Sequence, residues 1–283
     1  MKLAMFEKNG IVGLAAAENN EFHGFTAGEP GWPGDLDSLL TAGADLTGIG
    51  QALLKGPVVD MDKIRWLPPL SRPGKIVCLG LNYKAHSEEF GFKPPSYPEL
   101  FARFRTTLTG HLSPIVKPKV SDDLDYEGEL AMIIGKGGRE ISRDKALEHV
   151  AAYSVFNDAS VRDYQMRGTQ WLPGKNFDAT GGFGPWLVTA GSLPAGAKGL
   201  RLTTRLNGQV MQDAPTSDMI FDVAEQIVII SQVMTLEPGD MIITGTPGGV
   251  GKTRNPQVFM KDGDECEIEI EGIGTLRNPV VAA

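Results

Sequence analysis

Eleven residues, Asp125-Tyr126-Glu127-Gly128-Glu129-Leu130-Ala131-Met132-Ile133-Ile134-Gly135, constrain this chain more than any other stretch. Apolar and β-forming residues run on to a glycine that ends them, which predicts a strand. Side chains on a strand alternate, so Glu127 and Glu129 share a face, with Asp125 as its third member. Their Cα atoms then stand roughly 7 Å apart, at about 3.3 Å of rise per residue. Tyr126, Leu130, Met132 and Ile134 lie on the other face, the one expected to be buried. Two carboxylates aimed at one point repel each other and resist desolvation unless a positive charge lies between them. A hard divalent cation with oxygen ligands meets that need. A solvated polar face on an edge strand meets it equally, and the rest of the chain decides between them.

The chain has 283 residues, enough for one large domain or for a domain with a small appendage. A net charge of −8 argues against nucleic acid or an anionic membrane as the main partner. Cys78 and Cys266 lie in apolar contexts without metal-ligand spacing and read as buried free thiols of a reducing compartment. With no signal-peptide pattern and no run long enough to span a bilayer, the expectation is a soluble cytoplasmic protein. Glycine, proline and short apolar runs point to a predominantly β, α+β fold.

Two runs, Met1 to Phe6 and Ile11 to Ala17, flank Asn9-Gly10, a strong hairpin signal. Helical spacing from Asp35 to Leu54 follows, broken by glycines, and the Pro68 to Gly74 region punctuates the chain. Residues 1–70 are expected to form a small N-terminal α/β domain, and residues 71–283 a second one carrying the chemistry. Ser142 is expected to cap a helix from Ile141 to Leu147. Asn207-Gly208 marks a second hairpin, and Asp218 to Met234 reads as the longest helix.

Polar groups gather at several element ends. His86 and Glu89 are three residues apart, so on a helical turn they share a face. A carboxylate partner fixes an imidazole tautomer and raises its basicity, as a general base for water requires, although an exposed H-x-x-E pair has the same spacing. Gly91 to Pro98 reads as a mobile cover or an ordinary loop. A strand through Tyr153 to Phe156 delivers Asp158, the natural third carboxylate beside Glu127 and Glu129. Arg162, Asp163 and Gln165 follow; Asp163 is either a partner of Arg162 or a helix-start residue. Lys175, among glycines, is either a surface residue or a stabiliser of developing negative charge. Arg103 and Arg105 hint at contact with a second substrate carboxylate. Thr246 to Thr253 narrowly misses the phosphate-binding pattern G-x-x-x-x-G-K-[ST], because Thr246 stands at the first glycine. Its glycines are expected to let backbone amides approach a small ligand, with Thr244 or Thr246 adding a hydroxyl.

The ordered set G-L-N-Y-K-A-H-S-E-E, D-Y-E-G-E-L-A-M-I-I-G, N-D-A-S-V-R-D-Y-Q, P-G-K-N-F-D and T-G-T-P-G-G-V-G resembles the fumarylacetoacetate hydrolase family over roughly residues 72–280. The resemblance implies a mixed β-roll, usually a homodimer, with Mg²⁺ or Mn²⁺ held by Glu127, Glu129 and Asp158. It implies His86 and Glu89 as a water-activating dyad, Lys175, Gln165 and Arg162 as substrate or transition-state contacts, and Thr246 as a contact from the glycine loop. Some members carry an aspartate ligand just ahead of the dyad, where this chain has Leu81-Asn82-Tyr83. The activity it implies is metal-dependent hydrolysis of a 2,4-dioxo acid, an acylpyruvate such as fumarylpyruvate or maleylpyruvate, within aromatic catabolism. Decarboxylation or isomerisation of an oxaloacetate-like acid or an unsaturated dioate is the alternative on the same site. A non-catalytic metal- or small-acid-binding protein is a further one.

Overall fold

The computed structural model describes residues 1–91 and 93–283. Both Asn-Gly signals build tight hairpins. Asn9 and Gly10, at φ 54° and 79°, join the strands Lys2–Lys8 and Ile11–Ala17. Asn207 and Gly208, at φ 52° and 78°, join Arg201–Leu206 to Gln209–Pro215. Positive φ at both central residues matches the right-handed twist of the flanking strands.

The first hairpin belongs to a large mixed sheet. Its order runs His23–Thr26, Ile11–Ala17, Lys2–Lys8, Gly181–Thr189, Val150–Asp158, Gly128–Ile134, Met241–Ile243, Ile76–Gly80 and Glu99–Arg103. The second hairpin joins Glu265–Ile270, Gly274–Ala282 and Ile115–Lys117 in a five-stranded sheet. The two sheets pack through Leu130, Met132 and Val155 on one side and Leu202, Ile268 and Leu276 on the other. The helix Val223–Val233, capped by the Asp222 side chain on Glu225 N, adds Ile227 and Ile230 to that core. It starts later than its apolar spacing suggests, because Thr216–Asp218 forms a separate 3-10 turn and Asp222 supplies the cap.

Gly128–Ile134 is buried on both faces, which corrects the expectation of a single buried face. Leu130, Met132 and Ile134 meet the second sheet, while Ala131 and Ile133 join Leu3, Leu14, Leu36, Leu40 and Leu53 in another core. The helices Leu36–Thr41 and Leu46–Leu53 cover that second face, and Gly43 (φ 68°) separates them. Residues 1–70 therefore carry the expected strands and helices but extend the main sheet, with Lys2 and Leu3 paired to Val188 and Leu187. The Ser142 region holds only a 3-10 turn, Ala146–His149. Its backbone is engaged elsewhere: the N–H groups of Glu140 and Ile141 donate to the carbonyl and hydroxyl of Ser231. Of the expected cover Gly91 to Pro98, Phe92 lies outside the described residues.

Candidate active site

Strand register brings the three carboxylates together. Gly128 pairs with Asn157, so Asp158 stands across from Glu127, and Asp158 N donates to Glu127 O at 2.9 Å. Opposite residues of an antiparallel pair project from the same face, and Glu129 is the diagonal neighbour. Oxygens of Glu127, Glu129 and Asp158 all lie within 4.8 Å of one another, and all three residues are buried. Asp125 does not join them. Its strand, Leu124–Asp125, is separate, and its carboxylate accepts from Arg162 Nε (2.8 Å) and from the amides of Gly251 and Lys252 (2.8 and 3.0 Å).

Three buried cations face this acidic group. Lys175 Nζ lies 2.5 Å from oxygens of both Glu127 and Asp158. Arg162 Nη2 is 2.7 Å from Glu127 Oε1, as an ion pair without hydrogen-bond alignment. Arg103 Nη1 donates to Asp158 Oδ1 at 2.5 Å. Burial opposes the charge on Glu127, but Arg162 and Lys175 outweigh it and hold the carboxyl well below the ordinary carboxylate range. Burial also opposes the charge on Lys175, and Asp158 and Glu127 reverse the balance and keep it protonated. Glu129 differs. Burial, then Asp158 and Glu127, push its carboxyl upward, and among the described residues its one hydrogen-bond donor is Gly245 N at 2.6 Å. An all-oxygen donor set with an uncompensated carboxylate fits a hard divalent cation such as Mg²⁺ or Mn²⁺.

His86 and Glu89 lie on the short helix Lys84–Glu89, with Nδ1 2.6 Å from Glu89 Oε1. A carboxylate only accepts, so Nδ1 carries the proton and Nε2 is the free lone pair. Glu89 Oε2 accepts in turn from Gly249 N (2.8 Å) and Thr253 Oγ1 (3.0 Å). The glycine loop thus does approach carboxylates, but they are the protein's own: Glu89, Asp125 and Glu129. Thr246 lines the cavity, yet its hydroxyl donates to Gly128 O and accepts from Gln212 Nε2.

These groups surround a cavity of about 220 Å³ walled by Leu81, Phe90, Phe101, Met166 and Trp171. His86, Lys175, Arg162, Gln165, Thr246 and the three carboxylates all line it. Arg103 does not; it is a buried prop behind Asp158, also held by Ala159 O and Thr180 Oγ1. Arg105 is exposed away from the cavity. Lys175 ends a one-turn helix, Leu172–Lys175, rather than lying in a loose glycine loop. Asp163 bonds Ser121 and Arg167, leaving Asp125 and Glu127 as the partners of Arg162. Asn82, at the position where some family members have an aspartate ligand, is turned into the scaffold. Its amide donates to Thr244 O and Phe221 O and accepts from Phe221 N.

Sequence patterns did not single out the apolar wall. Trp171 fits because Gly80 has no side chain: a Cβ there would lie 2.1 Å from the indole ring. Leu81, next along the chain, takes φ 58°, an uncommon conformation for leucine that is found where a site over-determines the backbone. Neither feature has a signal in composition or periodicity. No helix among the described residues is long and apolar enough to cross a membrane.

The chain is similar to known proteins over its whole length. The mitochondrial oxaloacetate tautomerase FAHD2A of Bos taurus is 40% identical over 289 residues, covering 99% of this chain and 92% of the relative. The structure of a fumarylacetoacetate hydrolase from Exiguobacterium antarcticum superposes with a TM-score of 0.87 at 35% identity, covering both chains completely. A 5-carboxymethyl-2-hydroxymuconate delta-isomerase from Mycobacterium smegmatis matches with a TM-score of 0.79 at 32% identity, over 100% of this chain and 99% of that one. Residues 75–281 match the model of the fumarylacetoacetate hydrolase C-terminal region, and on this evidence the chain belongs to the fumarylacetoacetate hydrolase family.

Proposed function

We propose that the protein is an enolising enzyme, one that interconverts the keto and enol forms of a 2-oxo acid of the oxaloacetate type. The observation that carries this reading is the convergence of His86, Lys175 and the acidic triad on one small, apolar-walled cavity. Mg²⁺ or Mn²⁺ held by Glu127, Glu129 and Asp158 would supply Lewis-acid polarisation of the oxo acid. His86 has its Nδ1 proton committed to Glu89 and its Nε2 free, the state a base needs to accept a proton from C3. Lys175, held protonated, stabilises the negative charge that develops on the C2 oxygen as C3 is deprotonated. Delivery to that oxygen of the proton that His86 took from C3 completes the enol and restores the neutral imidazole, and the same two transfers in reverse return the keto form. Phe90, Phe101 and Trp171 limit water around the reacting carbon, which favours proton transfer over attack by water.

Relatives named as an oxaloacetate tautomerase and a muconate delta-isomerase support enolisation over carbon–carbon hydrolysis, the activity that the sequence resemblance put first. Both chemistries need the same base and the same charge stabilisation, so one comparison tests the reading. The decay of enol-oxaloacetate absorbance is followed with Mg²⁺ or Mn²⁺, alongside pyruvate release from acylpyruvates. Ketonisation far above the metal-only rate, with slow acylpyruvate cleavage, is the expected result. Rapid cleavage of an acylpyruvate without catalysed ketonisation would replace this reading with hydrolysis.

A further inference from the structure

Two of the cationic side chains that line the cavity are already paired with carboxylates. Arg162 is committed to Asp125 and Glu127, and Lys175 to Glu127 and Asp158. Lys252 also lines the cavity, yet among the described residues no carboxylate lies within 4.0 Å of its ammonium. Its backbone is fixed from both sides. The amide donates to Asp125 Oδ2 at 3.0 Å, and the carbonyl accepts from Gln257 Nε2 at 2.9 Å. Asp125 is the same carboxylate that holds Arg162 Nε, and the next residue, Thr253, holds Glu89 through its hydroxyl. The lysine backbone is therefore tied to Asp125, which also positions Arg162, and is the chain neighbour of the residue that holds Glu89.

A partly buried lysine that has no carboxylate partner among the described residues and lines an apolar-walled cavity answers one specific need. A 2-oxo dicarboxylic acid enters with two carboxylates. Its 2-oxo acid end would be taken beside Lys175 and the acidic triad that would hold a divalent cation. The distal carboxylate is then left among Leu81, Phe90, Phe101, Met166 and Trp171, where an unpaired charge is costly. A charge-assisted hydrogen bond from an ammonium removes that cost.

We propose that Lys252 is the specificity-determining residue for a second carboxylate, which makes the substrate class short 2-oxo dicarboxylic acids. The proposal rests on the enolising reading and adds to it the group that tells a diacid from a monoacid. Pyruvate is the discriminating probe, because it enolises at the same carbon and lacks the distal carboxylate. Lys252→Met keeps the length and apolar stem of the side chain and removes the charge. Ketonisation of enol-oxaloacetate and C3 deuterium exchange of oxaloacetate and pyruvate are measured with saturating Mn²⁺, and the folded state is checked by thermal midpoint. The variant is expected to raise KM for oxaloacetate at least tenfold, with kcat changed less than threefold and kcat/KM for pyruvate exchange unchanged. Lys252→Arg is expected to restore most of the oxaloacetate KM.

An unchanged oxaloacetate KM in a folded Lys252→Met protein would overturn the assignment and leave the enolising activity standing. Equal losses on oxaloacetate and pyruvate would also overturn it, because the lysine would then act on the shared end or on the fold. A wild-type protein that catalyses neither ketonisation nor exchange would overturn the enolising reading itself, and this assignment with it.

Discussion

Arg103 Nη1 lies 2.5 Å from Asp158 Oδ1, and both side chains are fully buried. The pair fixes one arm of the acidic triad from behind and leaves the other Asp158 oxygen to Lys175. Removing one partner of a buried pair leaves the other uncompensated, at a typical cost of about 3–5 kcal/mol. Arg103→Met is therefore expected to destabilise the protein by roughly that amount in urea unfolding and to weaken Mn²⁺ binding. In a double-mutant cycle with Asp158→Asn, the combined loss should fall short of the sum by about 1–3 kcal/mol. Full additivity would mean that the guanidinium props the fold without acting through Asp158.

Glu129 makes the opposite prediction for the metal-free protein. Its carboxylate is the one whose charge the surrounding cations leave uncompensated, and Gln keeps an oxygen to accept from Gly245 N. Glu129→Gln is expected to match the parent in stability with chelator present, or to exceed it by about 1 kcal/mol, because buried like-charge repulsion is relieved. Mn²⁺ at a hundredfold excess over its dissociation constant should stabilise the parent by about 2.7 kcal/mol. The variant should lose most of that gain. A thermal shift series with and without Mn²⁺ reads both effects, and an undiminished shift in the variant would exclude Glu129 as a ligand.

The acidic triad was legible because its signal is local. Glu127 immediately precedes the strand Gly128–Ile134 that carries Glu129 and still accepts from Asp158 N, at the end of the neighbouring strand, so short-range spacing predicts the convergence although Glu127 itself lies off the strand. The His86–Glu89 pair was legible for the same reason at helical spacing. Arg103 was misread because its partner is 55 residues away, and composition favours exposed arginines. Asp125 belonged to the right stretch but not to the right face. The strand breaks between Asp125 and Gly128, and alternation carries no information across a break. The second buried face of Gly128–Ile134 depends on helices contributed by residues 36–53, a long-range contact with no local trace. Lys252 was read only within a near-miss to a phosphate-binding loop and Trp171 was not singled out, since nothing nearby in sequence says that the two residues border one cavity.

His86 and Glu89 divide base strength from base position. His86→Ala is expected to slow C3 deuterium exchange of oxaloacetate by about a hundredfold or more, the usual range for a lost general base. Glu89→Gln keeps the imidazole in place but should cost a comparable amount, because it alters which ring nitrogen can accept the proton. Gly249 N and Thr253 Oγ1 still hold a Gln side chain at that position only if its oxygen faces them. The amide nitrogen would then face Nδ1 and select the opposite tautomer, with the proton on Nε2. Glu89→Gln should therefore shift the pH dependence of kcat as well as its size. Exchange by His86→Ala at the parental rate would remove His86 from the reaction.

Acid stability turns on a histidine far from the site. His111 packs edge-on against Trp66, with ring centroids 5.0 Å apart, and its Nδ1 accepts from Arg277 N at 3.0 Å. Burial, followed by the nearby Arg277 charge, lowers its pKa from 6.5 to about 4. The folded state therefore holds the ring neutral, while the unfolded chain takes up a proton as pH falls through 6.5. Stability from this group is complete above that pH, declines between 6.5 and 4, and is fully lost below 4. The shift sets an upper bound of about 3 kcal/mol, which partial exposure of the ring reduces to roughly 1–2 kcal/mol. His111→Asn places an oxygen where Nδ1 accepts from Arg277 and does not titrate. At pH 7.5 it should be less stable than the parent by about 1 kcal/mol, from lost packing against Trp66. At pH 4.5 the deficit should vanish or reverse, because only the parent carries the protonation penalty. Urea unfolding of both proteins across this range, compared as a difference, cancels the carboxylates that titrate in each. A difference that stays constant from pH 7.5 to 4.5 would show that His111 titrates normally in the folded protein.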